Sequence, residues 1–295
     1  MQFKIASATP FLLATALLFS PTCAQADYCE TPVSMCEVPV AAPICPVSVT
    51  VDLPVFNKYV WRGINIVNDW VFQPSMSVSW EGFTLSAWAD MQLTNEISTG
   101  ETIIDFSSSN FEIEEHPAGF IGEIDLIFSY TYAFGCNKEW IATVGIIDYE
   151  YPNCELHCTQ EVYATLAWAG FLNPRITVYH DINQVHGWLG EFGASYTFAK
   201  VWSICGMSMD FALSGVTRYQ SGDYVHFYYL TESEKAAWTD FAVTAAAPFR
   251  LSDHWTLTPS VTYARLINNR VRNAASDNGI HADNTIFGIN LAASW

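Results

Sequence analysis

The chain carries charged side chains at alternate positions of segments that are otherwise apolar. This spacing places the charges on one face of a β-strand. Because a charge on a lipid-facing surface is destabilising, the pattern predicts that these side chains face the interior of a closed barrel. The candidate pore-lining residues are Lys58, Arg62, Asp90, Glu123, Asp125, Glu161, Arg175, Asp181, Glu191, Asp210 and Asp240, and Arg218 and Arg265 are predicted to share their face.

Two arrangements of these charges are possible. They could line a water-filled path and set its ion selectivity, in which case the acidic excess favours cations. They could instead pair across the interior and fill it. We favour the water-filled path.

Seven of the eight cysteines follow residue 26, and they are Cys29, Cys36, Cys45, Cys136, Cys154, Cys158 and Cys205. An exported chain is expected to form disulfides. Cys154 and Cys158 share one loop and could pair. The other five are an odd number, so at least one of them is free or bridges to another chain. Cys154, His157 and Cys158 could instead bind zinc, but a fourth ligand is missing.

The composition excludes several classes of function. The formal net charge is −18, which argues against nucleic-acid binding because no basic patch is available for phosphates. A twelve-stranded barrel phospholipase carries His and Ser two residues apart on one strand, and this chain has no His-x-Ser sequence. We therefore expect no enzymatic activity, no cofactor and no metal centre.

The segment 120–134 shows most clearly how the chain is built. Its sequence, FIGEIDLIFSYTYAF, alternates an apolar, aromatic face with a mostly polar face. Its length and aromatic content are typical of a strand that crosses an outer membrane, with lipid outside and the lumen inside. A long strand of a soluble sandwich or lipocalin-like barrel is the alternative.

Eleven further segments resemble it, and together they predict an all-β, twelve-stranded antiparallel up-and-down transmembrane barrel. The predicted strands are 50–64, 72–80, 83–93, 120–134, 139–150, 159–169, 174–182, 187–199, 203–218, 236–249, 255–267 and 284–295. Glu232 to Ala237 is the one stretch where we predict a turn of helix. Trp61, Trp140, Trp188 and Trp255 lie near predicted strand ends, as in the aromatic girdles of such barrels.

The predicted connections alternate between long and short. Short turns on one rim and longer loops on the other are the plan of outer-membrane barrels, with the turns periplasmic and the loops extracellular. The longest loop, 94–119, carries six acidic residues and no Lys or Arg. It could fold inward or bind divalent cations, but its spacing matches no known calcium loop, and we favour a solvated acidic loop.

The N-terminal region predicts export. Residues 1–26 have a single charge, Lys4, a short apolar run and Ala24-Gln25-Ala26, which fits cleavage of a signal peptide. Residues 27–48 are rich in Pro and Cys and predict an irregular periplasmic arm. Residues 49–295 are predicted to form the barrel, which places the protein in the cell outer membrane.

Several short motifs resemble the TorF-type family of porins, which are conserved hypothetical outer-membrane proteins. They are Lys58-Tyr59-Val60-Trp61-Arg62-Gly63-Ile64, Asp148-Tyr149-Glu150-Tyr151-Pro152, Gln160-Glu161-Val162-Tyr163, Val178-Tyr179-His180-Asp181, Glu191-Phe192-Gly193-Ala194-Ser195 and Leu257-Thr258-Pro259-Ser260-Val261-Thr262-Tyr263. The resemblance implies a monomeric or oligomeric barrel with a pore. The Cys-rich arm, the acidic loop and the terminal Trp295 depart from the family pattern.

The sequence therefore predicts a narrow, cation-leaning outer-membrane channel, because twelve strands lie between the filled eight-stranded barrels and the wide porins. The alternative is a non-conducting structural or surface-interaction barrel cross-linked through disulfides. Expected partners are outer-membrane lipid, the barrel-assembly machinery and small solutes or ions. A second copy or a disulfide-linked envelope protein is a further possible partner.

The odd number of cysteines gives a first prediction. Non-reducing electrophoresis of the exported protein should show disulfide-linked species larger than the monomer, and a reductant should collapse them to one band. A monomer as the only band under non-reducing conditions would contradict cross-linking to another chain.

Overall fold

The structure is a computed structural model that describes residues 47–95, 117–153, 157–204 and 207–295. Within these ranges, twelve strands form one closed antiparallel barrel, as predicted. The strands are β1 (Val47–Phe56), β2 (Val71–Phe72 and Ser75–Trp80), β3 (Phe83–Gln92), β4 (Ile121–Phe134), β5 (Trp140–Glu150), β6 (Thr159–Trp168), β7 (Arg175–Asp181), β8 (Trp188–Ile204), β9 (Met207–Gln220), β10 (Ala237–Ala246 and Phe249–Arg250), β11 (Trp255–Leu266) and β12 (Asp283–Ser294).

Each strand pairs with its neighbours in the sequence, and β1 pairs with β12 from Thr50↔Ser294 to Phe56↔Gly288 to close the ring. The strands β2 and β10 are interrupted at Pro74 and Pro248, because proline has no N–H to donate to the ladder. Both chain ends of the barrel lie at the rim of short connections, here called the turn end. The opposite rim is called the loop end.

The alternation along each strand separates the two faces as predicted. On β4, Glu123, Asp125 and Ser129 are buried and face inward, whereas Leu126 and Phe128 are exposed and face outward. The outer surface is therefore apolar around the ring, and the inner surface is mostly polar.

A hairpin between β1 and β2, with strands Tyr59–Trp61 and Ile64–Val67, folds into the loop end of the barrel. Two helices, α1 (Gly222–Tyr229) and α2 (Asn269–Asp277), pack at the same end and contact each other. We call the hairpin together with α1 the stopper. Its buried side chains form one apolar cluster with inward-facing wall residues such as Ile127, Ile147 and Leu266.

The end predicted for the first strand was therefore wrong. The strand was predicted to run from 50 to 64, but β1 ends at Phe56, and Lys58 and Arg62 belong to the segment inside the lumen. Trp61 is not in a girdle, because it is buried in the hairpin with its ring 4.8 Å from that of Tyr228.

The predicted helical turn from Glu232 to Ala237 was also wrong, since Ala237 begins β10 and the helices lie at α1 and α2. None of the helices in the described ranges is long and apolar enough to span a membrane.

Two of the seven candidate disulfide cysteines lie in the described residues, and both are free thiols. Cys136 is exposed in a connection at the turn end. The Cys158 thiol donates a hydrogen bond of 3.1 Å to the Glu150 carboxylate, and this bond raises the pKa of the thiol. Residues 1–46, most of the acidic loop, and Cys154 and Cys205 lie outside the described residues, so the predictions made for them are untested.

Candidate functional site

The tip of the hairpin is a two-residue turn formed by Arg62 and Gly63. Both have positive φ, 49° and 85°, as a type I′ turn requires. A Cβ on Gly63 would lie 2.7 Å from Leu266 Cδ2 and 2.8 Å from Asp240 Cβ. The tip thus touches the wall at β10 and β11, and only glycine fits there. Arg62 therefore has a left-handed backbone conformation, which is uncommon for residues other than glycine, asparagine and aspartate.

The Arg62 side chain reaches the other side of the lumen and forms a bidentate ion pair with Glu161 on β6. Its two terminal nitrogens donate to Oε1 and Oε2 at 2.8 and 2.7 Å. Glu161 also accepts hydrogen bonds from the hydroxyls of Tyr149 at 2.8 Å and Tyr224 at 2.6 Å. The Glu161 carboxylate therefore joins the barrel wall, the hairpin and α1.

Aromatic rings surround the same guanidinium. Its central carbon lies 4.5 Å from the ring centroid of Trp61, 4.8 Å from that of Tyr179 and 5.4 Å from that of Tyr224. Such faces stabilise a cation that has been removed from water. The Tyr229 hydroxyl also donates to the Arg62 carbonyl oxygen at 2.7 Å, so α1 holds the turn at its backbone as well.

A second charged network lies within the wall itself. Arg218 on β9 donates to Glu191 on β8 at 2.9 Å and to Asp240 on β10 at 2.6 Å. Arg175 on β7 reaches the other oxygen of Glu191 at 3.3 Å. These charges alternate in sign across four neighbouring strands, so each buried charge has an opposite neighbour.

The remaining acidic residues on β3 and β4 have no such partner. Gln73 donates to Asp90 at 2.8 Å, and the Tyr59 hydroxyl donates to Glu123 at 2.9 Å. Asp125 is completely buried, and neither of its carboxylate oxygens has a hydrogen-bond partner. No Arg or Lys of the described residues forms an ion pair with an acid on this side of the lumen.

Three further predicted residues have local roles. Asp181 accepts hydrogen bonds from the backbone N–H groups of the loop that follows β7, at Asn183 and Val185. Asp210 accepts one from the Lys200 backbone at the turn end. Lys58 is half-buried next to the hairpin, and burial lowers the pKa of its amine.

The placement predicted for Arg265 was wrong. Its side chain is 45% exposed on the outer face, where it pairs with Asp283 at 3.3 Å. Residues of β11 two positions apart share a face, and Tyr263 points outward, so Arg265 points outward too.

The inner wall nearer the turn end is lined by small hydroxyl side chains. Thr131 and Thr143 are hydrogen-bonded at 2.9 Å, as are Thr165 and Thr177. Ser195 and Thr197 on β8 face the same space and are partly exposed. The inner wall thus carries mainly hydroxyl side chains towards the turn end and most of its buried charges towards the loop end.

The sequence did not identify the tyrosines that complete the site. Tyr59, Tyr149, Tyr224 and Tyr229 each place a hydroxyl on a charged partner or on the Arg62 backbone. The Arg62-Gly63 pair has apolar residues on both sides, and a residue followed by glycine in this setting is typical of a two-residue hairpin turn. No signal in the sequence marks α1 as a lumen helix, because its contacts are distant in the chain.

Among the described residues, no group of three or more His, Cys, Asp or Glu side chains is arranged to hold a metal ion. The arrangement of Arg62, Glu161 and the tyrosines is a connected set of ion-pair and hydrogen-bond contacts between buried groups. It can hold a loop inside a barrel by electrostatic attraction, and release that loop if the ion pair breaks.

A family model described as a bacterial protein of unknown function (Gcw_chp) matches residues 40–282. No curated protein matches the chain.

Several solved structures are similar. The NanC porin is 10% identical, with a TM-score of 0.48, over 82% of this chain and 98% of that one. An outer membrane channel from Pseudomonas putida F1 is 8% identical, with a TM-score of 0.42, over 86% and 97%. An anion-selective porin from Comamonas acidovorans is 8% identical, with a TM-score of 0.34, over 84% and 98%. At identities and TM-scores this low, the likeness says nothing about which solutes this chain passes.

Replacing Arg62 by alanine should release the hairpin. The change leaves Glu161 buried without its cation, which typically costs about 3–5 kcal/mol. We expect a lower thermal midpoint in detergent and loss of hydrogen-exchange protection at the amides of residues 59–67, with protection of the wall strands retained. As a control, Arg265→Ala removes an exposed pair and should change stability by less than about 1 kcal/mol. Equal effects of the two changes would contradict the role given to Arg62.

Proposed function

The chain belongs to the Gcw_chp family of bacterial proteins of unknown function, and we propose that it is an outer-membrane barrel that provides a narrow, gated passage for small solutes or ions. The observation that carries this proposal is the origin of the obstruction. The lumen is closed at one end by segments of the connections between strands, and these contact the wall both through an apolar cluster and through the polar contacts of Arg62 and Glu161.

The outward surface supports the membrane location. Soluble monomers rarely expose large contiguous apolar patches, whereas this barrel exposes Leu85, Leu126, Phe128, Tyr130, Val144, Ile146, Val162, Ile176, Phe192, Leu213, Val243, Val261, Phe287 and Ile289. Exposed tryptophans flank this belt at both ends: Trp80, Trp140, Trp168, Trp202, Trp255 and Trp295 at the turn end, and Trp70, Trp188 and Trp238 at the loop end. Such girdles sit at membrane interfaces.

The side chains of the lumen favour a hairpin that can move out of the barrel over one that fills it permanently. Small hydroxyl residues line the inner wall near the turn end, and Ser195 and Thr197 among them are partly exposed. The stopper occupies the loop end, and besides its apolar packing it is joined to the wall by the charged and hydroxyl groups around Glu161. A change that separates Arg62 from Glu161 would free the hairpin and connect the two ends.

A preference for cations follows from the charges inside. The described inward residues include more acidic than basic side chains. The acidic ones are Asp52, Asp90, Glu123, Asp125, Glu161, Asp181, Glu191, Asp210 and Asp240, and the basic ones are Lys58, Arg62, Arg175 and Arg218. An acidic excess lowers the energy of a cation in the lumen and raises that of an anion.

The alternative is a non-conducting barrel with a structural or surface-interaction role. Complete burial of the hairpin residues Val60 and Ile64, and of Tyr224 and Tyr229 in α1, favours it. In this case the stopper is a permanent core.

We further propose that the chain is related to the TorF-type porins, that residues 1–26 are a signal peptide and that residues 27–48 form an arm preceding the barrel. We also propose that the outer-membrane machinery assembles the barrel, that it has disulfide-linked or oligomeric partners, and that it has no enzymatic activity.

The membrane location can be tested on one face of one strand. Phe128 and Phe134 both face outward on β4, 50% and 39% exposed, but Phe128 lies near the strand centre and Phe134 at its end. Phe128→Arg should cost about 2–4 kcal/mol on folding into lipid vesicles, and Phe134→Arg about 0–1 kcal/mol. Urea titrations read by heat-modifiable gel mobility measure both. Similar costs would argue against a lipid-facing belt.

Passage can be tested by single-channel recording in planar bilayers under a salt gradient. Wild-type protein should give small, brief current steps with a reversal potential that favours cations. A variant whose residues 58–68 are replaced by a Gly-Ser linker of the same span should give steps that are several-fold larger and longer, because the hairpin is absent. Arg265→Ala serves as a control and should behave like the wild type.

Folding and insertion of each variant are established beforehand by heat-modifiable mobility. If the inserted linker variant gives no steps, passage is contradicted and the structural role is favoured. If the wild type and the linker variant conduct identically, the hairpin is not the gate.

A further inference from the structure

The Arg62 side chain occupies a site that other parts of the molecule provide. Glu161 on β6, Tyr149 on β5 and Tyr179 on β7 come from three neighbouring wall strands, and Tyr224 comes from α1. The guanidinium meets the Glu161 carboxylate at 2.8 and 2.7 Å, and its central carbon lies 4.8 Å from the ring centroid of Tyr179. None of these four residues belongs to the hairpin, so a hairpin that moves away need not carry them with it.

The turn itself does not explain why an arginine lies at its tip. Arg62 has a φ of 49°, and two-residue turns of this type favour Asn, Asp or Gly. In this conformation the β-carbon of any other residue is crowded by the following carbonyl oxygen. The presence of arginine is therefore explained by what its side chain reaches, which is Glu161.

The site matches the shape of a guanidinium group. The two parallel N–H groups of a planar guanidinium fit the two oxygens of one carboxylate, whereas an ammonium group is a compact point charge. The hydroxyls of Tyr149 and Tyr224 donate to the same carboxylate at 2.8 and 2.6 Å, so they hold its oxygens in position. The rings of Tyr179 and Tyr224 add attraction for a cation that has left water.

The site keeps its negative charge when Arg62 is absent. Glu161 is completely buried, and the two tyrosine hydroxyls on it are neutral donors. Within the described ranges, no other Arg or Lys forms an ion pair with Glu161. A buried carboxylate that loses its cation is strongly destabilised, so a cation of matching shape is bound favourably in its place.

We propose that Glu161, Tyr149, Tyr179 and Tyr224 form a binding site for solutes that carry a monosubstituted guanidinium group, and that Arg62 occupies this site as an intramolecular ligand. A solute of this class competes with Arg62 for Glu161, and the hairpin leaves when the solute takes its place. The inference rests on the proposed gated passage, because it names the class of solute that opens the gate.

The attachment of Arg62 to the chain determines how strongly a solute must compete. An intramolecular ligand on a short connection acts at an effective concentration in the millimolar range. We therefore expect the wild type to bind such a solute only weakly. Variants without the Arg62 side chain should bind it more tightly, because the internal competitor is gone.

Binding can be measured by chemical rescue of Arg62→Ala, with the protein refolded in detergent. Methylguanidinium chloride carries the same planar group and is titrated at constant ionic strength against sodium chloride, while tryptophan fluorescence follows the thermal midpoint. At about 100-fold excess over the Kd, the midpoint of the variant should rise by roughly 5–10 °C. The rise should be much smaller in the wild type and with methylammonium, and absent with the neutral analogue N-methylurea.

Further variants in the Arg62→Ala background locate the effect. Glu161→Gln should abolish the rise, because the carboxylate charge is lost. Tyr179→Leu should weaken the binding of methylguanidinium several-fold, because one aromatic face is removed. Asp52→Asn is the matched control, since Asp52 is an inward carboxylate on β1 that has Asn290 as its partner, and it should keep the full rise.

A second protein keeps the test decisive if Arg62→Ala does not fold. The variant whose residues 58–68 are replaced by a Gly-Ser linker also lacks the Arg62 side chain and leaves the four site residues in place. Its midpoint should rise with methylguanidinium as well. The rise should be smaller at the same concentration, because Trp61, whose ring also lies over the guanidinium, is absent.

Three results would overturn the proposal. They are no rise in either protein that lacks the Arg62 side chain, an equal rise with N-methylurea, and an equal rise after Glu161→Gln. The last would mean that the cation acts elsewhere on the protein. Because the test measures binding and not current, a failed rescue contradicts this site and not the passage, whereas binding by a protein that gives no current steps contradicts the passage and not the site.

Discussion

A guanidinium can be buried only if its charge and its donors are both satisfied, and this condition determines how the lumen closes. Arg62 meets it through one carboxylate, Glu161, and through the aromatic rings around it. The same carboxylate accepts hydroxyls from the wall and from α1. The hairpin, the helix and the wall are thus joined at one residue, and the apolar cluster packs between the same three parts.

The other charges of the lumen divide into two groups. On β7 to β10, acids and arginines alternate and neutralise one another, so that side of the wall is electrostatically complete without the stopper. On β3 and β4, acids predominate, and the donors that reach them are neutral groups, the Gln73 amide on Asp90 and the Tyr59 hydroxyl on Glu123. The two sides of the lumen thus satisfy their buried carboxyl groups differently, one by ion pairs within the wall and the other by hydrogen bonds that include a residue of the hairpin.

One set of strands thus serves two environments. The outward residues form an apolar belt with tryptophans at both rims, while the inward residues change from hydroxyls at the turn end to buried charges at the loop end. The obstruction comes from the connections rather than from the strands. Twelve strands enclose a wider lumen than the eight strands whose side chains fill a small barrel, and in this chain the connections contribute the hairpin and α1 to that space.

The sequence by itself determined the number of strands, their faces and most of their ends, because side chains alternate at period two and one face must avoid lipid or water. It correctly placed Glu123, Asp125, Glu161 and Glu191 inside. It could not decide that residues 58–64 leave the wall, since an alternating apolar segment fits a longer strand as well as a hairpin. Only the tertiary structure decided this, through contacts such as Arg62 with Glu161, which are 99 residues apart. Local patterns hold no information about which distant carboxylate a buried arginine will meet.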